Sequence, residues 1–256
     1  MSSPLAGQTR LDGVAVPDWV RELAGDGPVR PVWRNEDGGL TFRFGDGIRF
    51  LKAQRPGLDW QPDAERVRLD WVGGFVPAPR VLRHGVHGEL HWVLTTGLPG
   101  RSAVDPAWLA RPEIAIPALG RGLRRFHDAV PVVDCPFSWS VRERVDRFGL
   151  DPVFLARVPP LDVVVCHGDA CNPNFLLDDD GRVTGYVDLG GLGVADRWAD
   201  LAPALMSLGW NYGPGWEPTF LAAYGVPDDP AKRVYYSALW DGVGDNLGRT
   251  GAVGTG

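Results

Sequence analysis

The 256 residues are 44% hydrophobic and 23% charged, which excludes a disordered or membrane-spanning class and leaves room for one large domain or two lobes. A net charge of -6 lacks the basic footprint of sequence-independent nucleic-acid binding and suits a cationic small molecule better, while three cysteines without paired CxxC spacing exclude a disulfide framework or structural zinc. No apolar run approaches the roughly 18 residues of a membrane span, and "MSSPLAGQTRLDG" lacks a signal-peptide layout, so a cytoplasmic protein without membrane contacts is expected.

In chain order, "VPDWVREL" reads as a short helix carrying Trp19, Val20 and Leu23, with Asp18 placed to cap it. The runs "RPVWR", "LTFRFG" and "IRFLKAQ", separated by the turn-forming "NEDGG" and "GDG", predict an antiparallel meander. Pro62 opens a helix over "DAERVRLDW", with Ala64, Val67 and Trp71 at the spacing of one face. Two further strands, "RVLRHG" and "LHWVLTTGL", meet at a turn around His87 and Gly88. These elements make a β-rich first lobe with one helix, residues 1–98, ending in the segment that joins the lobes.

Past "PGRSAVDP" the period becomes helical: "PALGRGLRRFHDA" aligns Leu119, Leu123 and Phe126, and segments around 195–207, 216–224 and 230–241 also read as helices. The second lobe, residues 99–246, is therefore mainly α. "DVVVCHGD" and "VTGYVDLG" interrupt it as two short strands flanking a loop. The last ten residues, 247–256, carry no apolar anchor and are expected to form a disordered tail.

That loop carries the chemistry. Asp169 is followed five residues later by Asn174, and Asp188 precedes a Leu-Gly pair at the end of the next strand, the spacing of a kinase catalytic loop and its metal-binding carboxylate. Phosphoryl transfer develops negative charge between two oxygens, so the site needs hard oxygen ligands for a divalent cation and one further carboxylate for the incoming hydroxyl. Asn174 and Asp188 fit the first role and Asp169 the second. The same template needs a strand lysine for the phosphates and a helical carboxylate to hold it. Lys52 is the only lysine before residue 232, and Glu65 follows in the helix.

The stretch "VVCHGDACNPNFLLDDDGRVTGYVDLGGLGVADRWADLA" resembles the signature region of aminoglycoside O-phosphotransferases of the 3' and 3'' types, antibiotic-resistance enzymes with a protein-kinase-like fold. "FLKAQ", "AERVRLDWV", "WVLTTGLPG" and "VDCPFSWS" follow the family order, so the resemblance covers about residues 30–241. It implies a bilobal α+β fold with an antiparallel β-rich N-lobe and a mainly helical C-lobe. It also implies ATP or GTP as phosphate donor, Mg²⁺ on Asn174 and Asp188, catalysis by Asp169, and phosphates held by Lys52 paired with Glu65. The segment through Thr95, Thr96 and Leu98 would meet adenine with its backbone, a phosphate-covering turn would lie in Asn35–Thr41, and Asp241 would bind drug amines.

Four departures from the family pattern stand out. Gly191 replaces an arginine, whose role would be missing or supplied by another residue such as Arg197. Gly242 replaces an acidic residue after Asp241, the turn offers only Gly38 and Gly39, and the stretch between Phe137 and Val163 is short. The 13-residue interval from Lys52 to Glu65 and the altered ending resemble the streptomycin-directed 3'' group more closely. A kinase of an endogenous metabolite alcohol and a non-catalytic nucleotide-binding pseudo-kinase are the alternatives. His167 reads as a structural partner of the loop, Cys166 and Cys171 as packing residues, and Asp178–Asp180 as a hairpin turn.

Overall fold

A computed structural model describes residues 11, 13–35, 38–45, 48–57 and 61–250, with side chains through 242. After helix α1 (Asp18–Ala24), strands β1 (Val29–Arg34), β2 (Leu40–Phe44) and β3 (Arg49–Gln54) form the expected meander, and β4 (Val81–His87) and β5 (Leu90–Thr96) complete an antiparallel sheet of order β1-β2-β3-β5-β4. Alternation along β3 sends Leu51 and Ala53 into a small core with Phe42, Phe44, Trp92, Leu94 and the α1 residues Val20 and Ala24. Lys52, between them, faces the other way. Asp18 is the first helical residue rather than the cap, which Pro17 occupies without a side-chain bond.

Helix α2 (Pro62–Val72) opens on its proline as expected, but its buried face is Glu65, Arg68, Leu69 and Val72, one position away from the apolar stripe, and Val67 is exposed. The hydrophobic pattern misplaces the face because two charged residues are buried for their partners: Glu65 for Lys52, and Arg68 for the Leu192 carbonyl at 2.8 Å and the Phe137 ring. Leu69 and Val72 enter the large core of the second lobe, so α2 bridges both lobes.

The second lobe begins with β6 (Arg101–Ser102), α3 (Pro106–Leu109) and α4 (Pro112–Ala129), whose Leu119, Leu123 and Phe126 are buried together as their spacing requires. Helices α5 (Val141–Phe148) and α6 (Val153–Ala156) follow, then β7 (Val163–Cys166), a single 3-10 turn at Asn172–Asn174, β8 (Phe175–Leu177), β9 (Val183–Tyr186) and β10 (Gly193–Asp196). The two strands expected around the loop do not pair with each other. Strand β7 pairs with β10 and β9 with β8, so the loop is gripped at each end by a different ribbon. The Asp178–Asp180 turn closes the β8–β9 hairpin, with Asp178 Oδ1 accepting from the Asp180 and Arg182 amides.

Helices α7 (Trp198–Tyr212), α8 (Glu217–Tyr224) and α9 (Pro230–Thr250) complete the chain; α7 starts later than expected because β10 occupies Gly193–Asp196. Helix α9 extends to Thr250, so it includes the first four residues of the expected tail; residues 251–256 of that tail lie outside the described residues. Among the described residues, no helix is long and apolar enough to cross a membrane.

Candidate active site

Lys52 on β3 and Glu65 on α2 meet Asp188 from the loop after β9. The Lys52 ammonium lies 2.9 Å from Asp188 Oδ1 and 3.6 Å from Glu65 Oε2. Burial alone would depress the lysine, but the carboxylates of Asp188 and Glu65 outweigh it and hold Lys52 above its ordinary value. Lys52 in turn pulls Asp188 below the usual carboxylate range. Three residues far apart in sequence thus form one charged cluster, with the Asp188 side chain still 46% exposed.

Asp188 has φ 61, the only positive value at a non-glycine among the described residues. A left-handed aspartate costs on the order of 1–3 kcal/mol and needs surroundings that hold it. The Val187 amide donates to the Asn174 carbonyl at 3.0 Å on one side, and Leu189 is fully buried on the other. This bond also ties the Asp188 segment to the turn that carries Asn174.

Asp169 and Asn174 face each other across that turn. Asn174 Nδ2 donates to Asp169 Oδ2 at 2.9 Å and to the Asp169 carbonyl at 3.0 Å. Burial and the nearby Asp188 charge raise the Asp169 carboxyl. The turn is pinned to α7 by the Asn172 amide on Ser207 Oγ at 2.9 Å.

Beneath Asp169 lies a network that sequence reasoning missed. Asp200 on α7 accepts from the His167 amide at 2.6 Å, the Gly168 amide at 3.0 Å and His127 Nε2 at 2.9 Å, and His127 Nδ1 meets the Tyr224 hydroxyl at 2.7 Å. Burial alone would raise Asp200, but the His127 bond and the backbone donors hold it below the usual range. His167 has the structural role expected: its ring lies between Phe126 and Phe175, its Nδ1 accepts from the Asp169 amide at 3.3 Å, and burial lowers its pKa so that it stays neutral. Asp200 sat within the quoted signature and His127 beside Phe126. No local spacing relates two residues 73 positions apart.

The thiols of Cys166 and Cys171 are pushed well above their ordinary values by burial, as packing residues would be. Of the remaining expected residues, Thr95 and Thr96 are tied into the sheet: Thr95 Oγ1 donates to the Phe50 carbonyl, and Thr96 accepts from the Arg80 amide and donates its own amide to the Arg80 carbonyl. Gly97 N bonds the Ile48 carbonyl, and Leu98 packs toward Gly185 of β9. The β1–β2 turn is held by Asn35, which bonds Gln54 and the Gly39 amide at 2.6 Å each; residues 36–37 of the expected phosphate-covering turn lie outside the described residues.

Arg197 does not stand in for an arginine at Gly191. Its guanidinium pairs with Asp162 at 2.6 Å and reaches the Tyr224 hydroxyl, because its position opens α7 rather than the Asp188 loop. Asp241 is exposed on α9, and among the described residues no hydrogen bond or ion pair joins it to the cluster.

Gly191 instead lies against Gly168 at the start of the Asp169 loop. A Cβ on Gly168, whose φ is +87, would fall 2.1 Å from the Gly191 carbonyl carbon and oxygen. Gly168→Ala is therefore expected to destabilise the protein by about 3 kcal/mol or more, combining a left-handed penalty with backbone overlap. Gly190→Ala, whose Cβ would meet only Glu65 Cβ at 3.8 Å, serves as control and should change stability by no more than about 1 kcal/mol. Thermal unfolding of both variants checks the pair.

A five-stranded lobe presenting a lysine–carboxylate pair, over a helical lobe presenting an Asp–Asn loop and a second aspartate, defines a phosphotransferase of protein-kinase-like fold. The profile of the phosphotransferase enzyme family matches residues 38–152 and 142–235. The chain belongs to that family. It is similar to the streptomycin 3''-kinase of Streptomyces griseus, 32% identical over 267 residues covering 87% of this chain and 91% of the relative. It is also similar to the aminoglycoside 3'-phosphotransferase of Niallia circulans, 30% identical over 219 residues, 74% of this chain and 82% of the relative. Among solved structures, the aminoglycoside phosphotransferase APH(3'')-Id of Streptomyces rimosus in complex with ADP and streptomycin superposes with TM-score 0.66 at 30% identity, covering 88% of this chain and 95% of that one. An aminoglycoside-3'-phosphotransferase of type VIII gives TM-score 0.74 at 28% identity, covering 88% and 97%.

Proposed function

We propose that the protein is an aminoglycoside O-phosphotransferase of the 3'- or 3''-type, moving the γ-phosphate of ATP or GTP to a drug hydroxyl and so conferring resistance. The observation that carries this reading is the convergence of Lys52, Glu65 and Asp188 beside the Asp169–Asn174 pair. Lys52, held charged by its two carboxylates, is suited to the α- and β-phosphates. With Nδ2 committed to Asp169, the Asn174 amide oxygen and the open Asp188 carboxylate offer the hard oxygen ligands that Mg²⁺ prefers. When bound there, Mg²⁺ would neutralise phosphate charge. Asp169 would accept a hydrogen bond from the acceptor hydroxyl, orient it toward the phosphorus and take its proton as the new P–O bond forms.

The amides of Thr96 and Gly97 are spent on Arg80 and Ile48, so adenine or guanine would meet the connecting segment at Leu98. The net charge of -6 favours a polycationic acceptor, and the relative named as a streptomycin 3''-kinase makes streptomycin the first acceptor to try.

The test is nucleoside-diphosphate release from ATP and from GTP with streptomycin, kanamycin and neomycin, followed by NMR assignment of the phosphorylated hydroxyl. Saturable turnover of at least one drug is the expected result. Turnover of a metabolite alcohol with none of the drugs would move the protein to the endogenous-metabolite reading, and Mg²⁺-dependent nucleotide binding without any turnover would make it a pseudo-kinase. Lys52→Met should raise the nucleotide KM and lower kcat/KM by about 10²-fold or more, the scale of losing one charged contact to transferring phosphate.

A further inference from the structure

The sheet face that carries Lys52 holds a second set of cations. Side chains two apart on a strand share a face, so Phe50 lies on the Lys52 side of β3, away from the core that takes Leu51 and Ala53. Directly paired residues share a face too: Phe50 pairs with Thr95 of β5 and with Arg43 of β2, and Arg43 pairs with Arg30 of β1. One row therefore crosses the cleft side of the sheet in the order Thr95, Phe50, Arg43, Arg30. Lys52 pairs with Thr41 in the next row, which makes Arg43 its diagonal neighbour at about 7–8 Å.

The protein leaves the outer side chains of this row uncommitted. Phe50 is half-buried and joins neither core, whereas Phe42 and Phe44 on the opposite face are 1% exposed. Arg30 and Arg43 are exposed, and among the described residues neither guanidinium has a hydrogen-bond or ion-pair partner. Like charges directly opposite each other on a sheet are unfavourable, and an anion beside them offsets that cost. The neighbouring cluster has the opposite imbalance: Glu65 and Asp188 outnumber Lys52 and leave it negative as a whole. A phosphate chain would be repelled by those carboxylates unless cations elsewhere on the cleft compensate.

We infer that Arg43, backed by Arg30, contacts the α-phosphate of the bound nucleotide, an inference that rests on the nucleotide-donor reading above. On that reading the base lies at Leu98 and the phosphates at Lys52. The row of Thr95 and Phe50 is two residues closer to the connecting segment than Lys52, so it covers the nucleoside. Arg43 stands next to Phe50 and diagonal to Lys52, where the nucleoside gives way to phosphate. A guanidinium suits that place because its several donors match phosphate oxygens. Arg30, one strand further out, adds charge at longer range.

Calorimetric titration of the full chain with ADP and GDP, set against adenosine and guanosine, tests the assignment. Arg43→Gln should weaken the better-bound diphosphate about tenfold and change its nucleoside by less than about twofold, since the nucleoside has no phosphate to lose. Arg30→Gln should weaken the diphosphate about threefold, Arg43→Lys should stay within about threefold of wild type, and the Arg43→Gln gap should narrow as ionic strength rises. Both arginines are exposed, so the variants should melt with the wild type. Diphosphate affinity unchanged in Arg43→Gln, or an equal loss for the nucleoside, would overturn this inference and leave the phosphotransferase reading standing. No saturable binding of either diphosphate to the wild-type chain would overturn both.

Discussion

Asp169→Asn is expected to lower kcat by about 10³- to 10⁴-fold with little change in the KM for nucleotide, the range for losing a general base that acts only on the way to the transition state. The substitution keeps the shape of the side chain and an oxygen for the Asn174 Nδ2 bond, so it removes charge and basicity alone. Its effect on stability should have the opposite sign. The Asp169 pKa is raised in the folded protein by burial and by Asp188, so the folded state retains a proton that the unfolded chain releases; ionisation at neutral pH therefore costs stability. The asparagine variant should melt at or above the wild-type temperature at pH 7, and the difference should vanish as the pH falls below the ordinary carboxylate range near about 4. Wild-type kcat/KM should fall on the acid side with a midpoint above that range, and the residual activity of the variant should not follow it. Turnover near the wild-type level in Asp169→Asn would remove this carboxylate from the reaction.

Asp200→Ala is expected to damage both fold and rate. The substitution leaves the amides of His167 and Gly168, together with His127 Nε2, without their acceptor in a fully buried setting, at a combined cost of about 3–5 kcal/mol. For a chain of this size that corresponds to a fall of about 10 °C in Tm. The two amides immediately precede Asp169, so kcat should fall even at temperatures where the variant is folded. Asp200 is held below the usual carboxylate range, which means its stabilisation is present above about pH 4 and is lost as the pH falls through the folded value. Asp200→Asn should flatten that acid limb of the stability curve. A variant that melts like wild type and turns over normally would show that the network beneath the loop positions nothing.

The strand-rich first lobe and the main helices were legible because their patterns are local. Alternation in "LTFRF" and "RFLKAQ" and the 3.6-residue recurrence of Leu119, Leu123 and Phe126 report which side of each element meets a core, and the burial agrees. The helix α2 face was misread for a physical reason: Glu65 and Arg68 are buried by pairing, which apolar periodicity does not detect. Strands β6 and β10 were missed because runs of two and four residues carry too little pattern, and α7 was started early as a result. Helix α9 runs past the expected end although "LGRTGAVGTG" offers no apolar anchor.

The identities and spacing of Asp169, Asn174, Asp188, Lys52 and Glu65 were settled by the linear order of residues, and they are the side chains that the proposed phosphate and magnesium chemistry would use. Folding alone decided that Lys52 meets Asp188 across 136 positions, that Asp188 takes a left-handed backbone, and that Arg197 turns to Asp162 instead of the loop. It also created the Tyr224–His127–Asp200 support, which no short-range signal announces. The reason is the reach of the forces involved: propensity and patterning act over a few neighbouring residues, whereas hydrogen bonds and ion pairs between distant segments exist only after the core has brought those segments within about 3 Å.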